Sequence, residues 1–428
     1  MTVRRKRTCP LWLAIIVSAI SGCASGNTYL VHEAGDIQKL IDTASENGGG
    51  KVVVPEGAYE TGSIQLKSNV ELHLERGAIL LGATLSEAYA SFPDSVCSIK
   101  PENSSKVLVY AYNAENIALT GKGMIDGRGP EFFDTTDVKR AYYPKPPVER
   151  PRMVQLFNCK GIRIEEVTFK DSPCWTMFIR SCENIDVKGI TVTADQKMIN
   201  NDGIDFDGCR HVRVSDSNFK TCDDCLILRA MREYPEQHIV CEDVVVRNCH
   251  LNSRCQTVRL GCPSDDTIRD ARFENITAEG YNGIFADYPV RYLRPDDEGY
   301  MDITDITFRN YSGEFTNSAL QIVSQPGVKP RRVDGLKFID FNVVSAMPLR
   351  FIGNEGHEVG SVLLENFVAK VLESGEPCIV KGCKGLEYKN VVLNGEPCAN
   401  GIVHAEPGSN EPLATRAVTS WEAQQQKR

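Results

Sequence analysis

A short motif that recurs along the middle of the chain constrains the fold more than any other feature. Cys159-Lys-Gly-Ile162-Arg-Ile164-Glu-Glu-Val167-Thr-Phe169 returns as Cys182-Glu-Asn-Ile185-Asp-Val187-Lys-Gly-Ile190-Thr-Val192 and again as Cys209-Arg-His-Val212-Arg-Val214-Ser-Asp-Ser217-Asn-Phe219. It recurs at Cys241 with Val244, Val246, Cys249 and Leu251, and at Cys383 with Leu386, Tyr388, Val391 and Leu393. Versions without the cysteine occur at Ile117 and Leu119, and at Leu336, Phe338, Phe341 and Val343. Side chains in a strand alternate between two faces, so two alternating apolar pairs offset by a polar step describe two brief strands joined by a bend. A unit this small cannot bury its apolar side alone. Stacking one unit on the next at roughly 4.8 Å piles like residues into internal ladders and satisfies the backbone by parallel pairing.

The expected fold is therefore all-β, a single-stranded parallel β-helix solenoid. A β-sandwich fits less well, because hairpin turn signals are scarce. The sixteen cysteines are spread over a long chain and many share one register, which favours buried, stacked thiols over a bridged framework. A solenoid must hide the open edge of its first coil. Asp36 to Ala44 has helical spacing, with Ile37, Leu40 and Ile41 apolar, and is expected to form a short N-terminal capping helix. Gly48-Gly49-Gly50-Lys51 is not a phosphate loop, since no Ser or Thr follows the lysine and the glycines precede a strand.

Both ends read differently from the body. Arg4-Arg5-Lys6-Arg7 followed by Leu11 to Val17 is a basic region leading into a short apolar one, as in an export signal. Ile20-Ser21-Gly22-Cys23 resembles a bacterial lipobox, with Cys23 as the lipidated residue; an ordinary signal peptide with a chance cysteine is the alternative. The expected organisation is a signal at 1–22, a tether at 23–35, the β-helix at 36–405 and a tail at 406–428. The protein is expected to be an exported lipoprotein, periplasmic or at the cell surface, touching membrane only through its lipid. Lys plus Arg 48 against Asp plus Glu 57 gives a net charge of −9, a poor balance for coating nucleic acid.

The chemistry-bearing residues are acids. Asn200-Asn201-Asp202-Gly203-Ile204-Asp205 is followed by Cys222-Asp223-Asp224-Cys225. Asp223 follows Asp202 by about one coil, which places the two carboxylates on neighbouring turns of one sheet. Asp224 cannot point the same way as Asp223 in a regular strand, so the pair predicts a bend or strand end. Like charges converging on a groove raise at least one pKa, and one protonated acid beside an ionised base is what inverting glycosidic cleavage requires. The bland alternative is that Asp202 and Asp205 decorate turns and that Asp223-Asp224 is a solvated bend. A calcium loop fits neither the spacing nor the position of the distal Glu.

These motifs, with Gly48 to Ala83, Asn116 to Gly127 and Ser172 to Thr176, resemble glycoside hydrolase family 28, the polygalacturonases. The resemblance runs from about Asp36 to Gly261. It implies a right-handed β-helix and hydrolysis of a pectic or related glycan with inversion, Asp223 being the general acid while Asp202 and Asp224 orient and deprotonate water. It also exposes departures. Gln256 stands where the family carries a histidine, and Phe285-Ala286-Asp287 where it carries Arg-Ile-Lys, which grips the galacturonate carboxylate.

Three readings follow. The first is a hydrolase of altered specificity, in which Phe285 or Tyr288 stacks on a sugar and Asp287 accepts its hydroxyls, with Asn200 and Gln256 in the site. The second retains a uronate and recruits Arg229, Arg259, Arg291 or Arg294 as the clamp. The third is a non-catalytic glycan-binding solenoid, and a uronate lyase is a further alternative. Trp175 reads as packing near a coil bend. The histidines form no ligand cluster, so no metal or other cofactor is expected. Loops at Phe92 to Ser105, Phe132 to Arg152 and Pro289 to Gly299 are placed to wall the groove and favour chain-end attack.

Overall fold

The computed structural model describes residues 26–287 and 299–407. Its strands form one right-handed parallel β-helix in which each coil contributes a segment to three long faces. The repeat seen in the sequence builds two of them. Lys160–Glu165, Glu183–Lys188 and Arg210–Ser215 stack on the first face with Ile162, Ile185 and Val212 in register. Thr168–Lys170, Thr191–Thr193 and Asn218–Thr221 stack on the second. The third face comes from segments that the repeat does not mark: Met177–Arg180, Ile204–Asp207, Leu226–Arg229 and the final stretch of Val240–Leu260.

The bend between the first two faces is a single residue in the left-handed region, held by Asp216, Asn248, Asn275, Asn310, Asp340, Asn366 and Asn390. Asn and Asp tolerate that conformation, and their side chains can also bond locally. Here they bond between coils: Asn275 Nδ2 donates to Asn248 Oδ1 at 3.0 Å and Asn310 Nδ2 to Asn275 Oδ1 at 2.9 Å. The core is filled by ladders of like residues. Phe273, Phe308 and Phe338 stack at 4.5 and 5.5 Å, and Tyr311, Phe341 and Phe367 at 5.0 Å. Cys159, Cys182, Cys209 and Cys241 form another buried ladder, and every described cysteine is a free thiol.

The helix Asp36–Glu46 covers the first coil, burying Ile37, Ile41 and Ala44. One boundary differs from expectation. Asn27–Leu30, in the span read as a tether, is a strand pairing in parallel with Gly50–Val54, so the solenoid starts before the helix and the helix is inserted between its first two rungs. At the far end, Gly401–Ala405 turns back antiparallel on Cys383–Leu393. That reversal blocks further parallel addition and protects the last edge. The signal, Cys23, Tyr288, Arg291, Arg294 and nearly all of the expected tail lie outside the described residues. Among the described residues, no helix is long and apolar enough to cross a membrane.

Candidate active site

The acids gather where the second face turns into the third. Asp202 lies two residues before the strand Ile204–Asp207, and Asp224 two residues before Leu226–Arg229; Ile204 and Leu226 are partners. The backbone confirms the match, since the Gly203 N–H donates to the Asp224 carbonyl at 2.8 Å. Asp202 and Asp224 are therefore the rung neighbours, with Trp175 one rung below and Gln256 one above. This refines the sequence expectation that paired Asp202 with Asp223. Asp223 sits one residue earlier in the bend between strands, as two adjacent acids require if both are to reach one groove.

Each carboxylate has its own surroundings. Asp224 is 2 % exposed; Oδ1 accepts the Gln256 backbone N–H at 3.1 Å and Oδ2 accepts Arg259 Nη1 at 3.1 Å. Arg259 Nη1 also reaches Gln256 Oε1 at 3.3 Å. Asp223 is half-buried, and its Oδ1 accepts the N–H of Asp224 at 3.0 Å. Burial first and the charge of Asp224 second push the Asp223 carboxyl up to about 6, with Arg259 and a bond from Cys255 opposing. Asp202 is buried, and burial together with Asp223, Asp205 and Asp224 pushes it well above the ordinary range. Its Oδ1 has no partner within the chain.

A bulge between Ser253 and Gln256 shifts the register of the long strand. Ser253 Oγ donates to the Asp223 carbonyl at 2.7 Å and accepts the Cys255 N–H at 2.8 Å. The turn brings the Cys255 thiol beside Asp223 and Asp224, all three ligand atoms lying within 4.8 Å of one another. Burial and the two acids drive that thiol well above its usual pKa, so it is a hydrogen-bond donor rather than a thiolate. Asp224 already accepts two donors, and a neutral thiol is a poor metal ligand, so the trio is better suited to hydrogen bonding than to holding a cation.

Beneath the acids lies a dry ion pair. Asp205, on the strand Ile204–Asp207 rather than in a turn, is fully buried; its Oδ1 is 2.7 Å from Arg229 Nη2. Burial, partly offset by Arg229, pushes Asp205 up to about 7. The Arg229 guanidinium lies 4.3 Å from the centre of the Trp175 ring, so Trp175 packs as expected and Arg229 is committed to the interior. Phe285 continues the outward row one rung past Arg259 but is 2 % exposed, and so presents no open ring for a sugar to stack on. Asp287 ends the strand Thr267–Asp287. Asn200 Oδ1 accepts Arg150 Nη2 at 2.8 Å.

Loops complete the groove, and here the repeat-based reading had no signal. Arg150, 2 % exposed, donates to the carbonyls of Pro173 and Ile199 at 3.1 and 2.8 Å. Arg152 donates to the carbonyls of Pro101 and Ser104, holding the loop that carries Glu102. Arg254 donates to the carbonyls of Ala141 and Gln196, pinning a second loop. Glu102 receives Lys145 Nζ at 2.7 Å and acts on Asp223 as one more nearby negative charge.

Residues 45–241 match the family model of glycosyl hydrolases family 28. Over that span, somewhat under half of the chain, the sequence is similar to the family; the matched residues include Asp202, Asp223 and Asp224 and stop before Gln256, Phe285 and Asp287. It is 28% identical over 272 residues to a probable polygalacturonase of Vitis vinifera, covering 60% of this chain and 53% of that one. A polygalacturonase of Medicago sativa is 24% identical over 338 residues, 71% of this chain and 78% of its own. The chain thus spans about half the length of the first relative. Two solved structures share the fold at a TM-score of 0.70: a hyperthermoactive exopolygalacturonase from Thermotoga maritima, 19% identical over 89% of this chain and 94% of that one, and a family 28 exopolygalacturonase from Yersinia enterocolitica, 18% identical over 90% and 77%.

Proposed function

We propose that this family 28 relative is a glycoside hydrolase that cleaves a pectic polysaccharide or oligosaccharide with inversion. The observation that carries the reading is the placement of Asp202 and Asp224 on adjacent rungs with Asp223 at the strand-free bend beside them. Asp223, with its pKa raised to about 6, keeps a proton in mildly acid solution and gives it to the leaving oxygen. Asp202 and Asp224 bind the attacking water from the other side and take its proton. The Arg259 guanidinium stabilises the charge that Asp224 carries.

Replacing Asp223 by Asn keeps the shape and removes the transferable proton. Turnover of oligogalacturonides should fall by about 10²- to 10⁴-fold, with circular dichroism unchanged; unaltered turnover rejects the assignment. Reading reducing ends together with ultraviolet absorbance separates hydrolysis from a lyase, which would leave unsaturated ends, and from a binder, which would leave neither.

We further propose that the chain is exported as a lipoprotein through Cys23 and acts outside the cytoplasm. The basic Arg4 to Arg7 stretch, the apolar run after it and Ile20-Ser21-Gly22-Cys23 support this. Labelled palmitate should enter the wild type and not Cys23→Ser; equal labelling of both refutes it.

A further inference from the structure

The resemblance noted in the sequence sets Phe285 and Asp287 against the family's cations, which leaves open how a uronate would be recognised. The arginines around the acids are already committed: Arg229 to Asp205, Arg259 to Asp224, Arg150 to two carbonyls and Asn200, and Arg254 to two carbonyls. Lys145 is different. Its side chain is 37% exposed and its ammonium rests on one partner, Glu102 Oε2, at 2.7 Å.

The pair sits close to the catalytic bend. Glu102 Oε2 is 4.0 Å from Arg150 Nη2, and the same nitrogen bonds Asn200, two residues before Asp202. The loop is also held under strain. Glu102 and Asn103 both occupy the left-handed region, with φ of 56° and 55°, where L-residues other than Asn, Asp and Gly rarely sit. Buried Arg152 holds both sides of this segment through the carbonyls of Pro101 and Ser104, at 3.0 and 2.6 Å. Strained backbone fixed by buried donors is a mark of a pre-organised functional loop.

We propose that Lys145 is the specificity-determining cation of this groove: it leaves Glu102 to bind a uronate carboxylate of the substrate, and Glu102 holds it in place while the site is empty. A partly exposed ammonium can exchange one carboxylate for another at little cost, whereas a buried guanidinium in a carbonyl cage cannot. The inference rests on the pectic reading above and deepens it by naming the residue that senses the acid group.

The test compares a free-acid oligogalacturonide with its methyl ester, by kcat/KM and by calorimetric binding to Asp223→Asn. The wild type should prefer the free acid. Lys145→Met should lower that preference about tenfold, chiefly through KM, since an ion-paired hydrogen bond is being lost. Lys145→Arg should restore most of it, which a purely structural role would not require. A wild type that neither binds nor cleaves either compound overturns the functional reading, and this inference with it. A wild type that treats both alike, or a Lys145→Met that keeps the full preference, overturns this inference alone.

Discussion

Replacing Arg229 by Met removes the cation from beneath the acids, and the cost should depend on pH in a way that the structure fixes. Arg229 is 4% exposed and Asp205 fully buried, with Nη2 and Oδ1 2.7 Å apart. Stranding a buried charge costs about 3–5 kcal/mol, but Asp205 can escape that by keeping a proton. Its carboxyl is already raised to about 7 with Arg229 present, and Arg229 lowers it, so without Arg229 it should rise further and keep its proton to more alkaline pH. The sign follows from proton counting. A carboxyl raised above its unfolded value of about 3.9 stabilises the fold at low pH, and that contribution is lost as pH rises to the folded pKa. At pH 5.5 Asp205 holds its proton in both proteins, and the variant should lack only the stack on Trp175, about 1–2 kcal/mol. From pH 7 to 8.5 the wild type loses only the half-proton that a carboxyl at about 7 still holds at pH 7. The folded variant still binds a proton that its unfolded chain does not, and its stability falls by about 1.36 kcal/mol per pH unit. The gap should widen by about 1.5–2 kcal/mol over that range. Urea unfolding followed by the fluorescence of Trp175, the one tryptophan among the described residues, measures it at each pH. Arg229→Met with Asp205→Asn supplies the control, because an amide does not titrate and its gap should be flat. A gap that stays constant or narrows for Arg229→Met alone would refute the reasoning.

Two further outcomes are expected. With Asp223 as the proposed general acid and its carboxyl at about 6, kcat/KM should decline tenfold per unit on the alkaline side of that value; Glu102→Gln, which removes a negative neighbour, should move the decline to lower pH, and an unmoved or raised limb counts against the assignment. The Arg180–Asp207 pair is fully buried, so Arg180→Met should cost about 3–5 kcal/mol; adding Asp207→Asn should recover most of it while still accepting the Met231 N–H at 2.9 Å, and a double variant no more stable than the single one in urea would contradict the pairing.

The first two faces were legible because a strand's alternation is written directly into apolar spacing: Ile162, Ile164 and Phe169 point inward wherever the unit recurs. The third face was not, because both of its sides are covered. In Ile204–Asp207 and Leu226–Arg229 every residue is buried, so Asp205 and Arg229 break the polar-outside rule by neutralising each other rather than by meeting solvent. That mutual cover lets Asp205 be a strand residue in the fold, where the alternative reading of the sequence made it a turn residue. The three acids could be found because Asp223 and Asp224 follow Asp202 by about one coil. Glu102 and Lys145 could not, since they arrive on loops whose lengths follow no period and whose seating depends on buried arginines bonding to backbone carbonyls, a contact that leaves no side-chain pattern to read.

The acids and arginines at the site then bear on how charge is divided there. Four carboxyls, Asp202, Asp205, Asp223 and Asp224, share a nearly dry floor with two guanidiniums, Arg229 and Arg259. Full ionisation would leave two uncompensated negative charges there, which the floor avoids by retaining protons. Those protons go where charge is least supported. Asp224 accepts two donors, one of them cationic, whereas Asp202 has an oxygen with no partner and is driven strongly upward. Asp202, stacked one rung from Asp224, is therefore the carboxyl of the two that burial and its acidic neighbours drive upward. A histidine at position 256 would add a third titrating group to this balance. Gln256 cannot titrate, and its side-chain oxygen instead helps to hold Arg259 against Asp224, so the proton that matters stays on the acids.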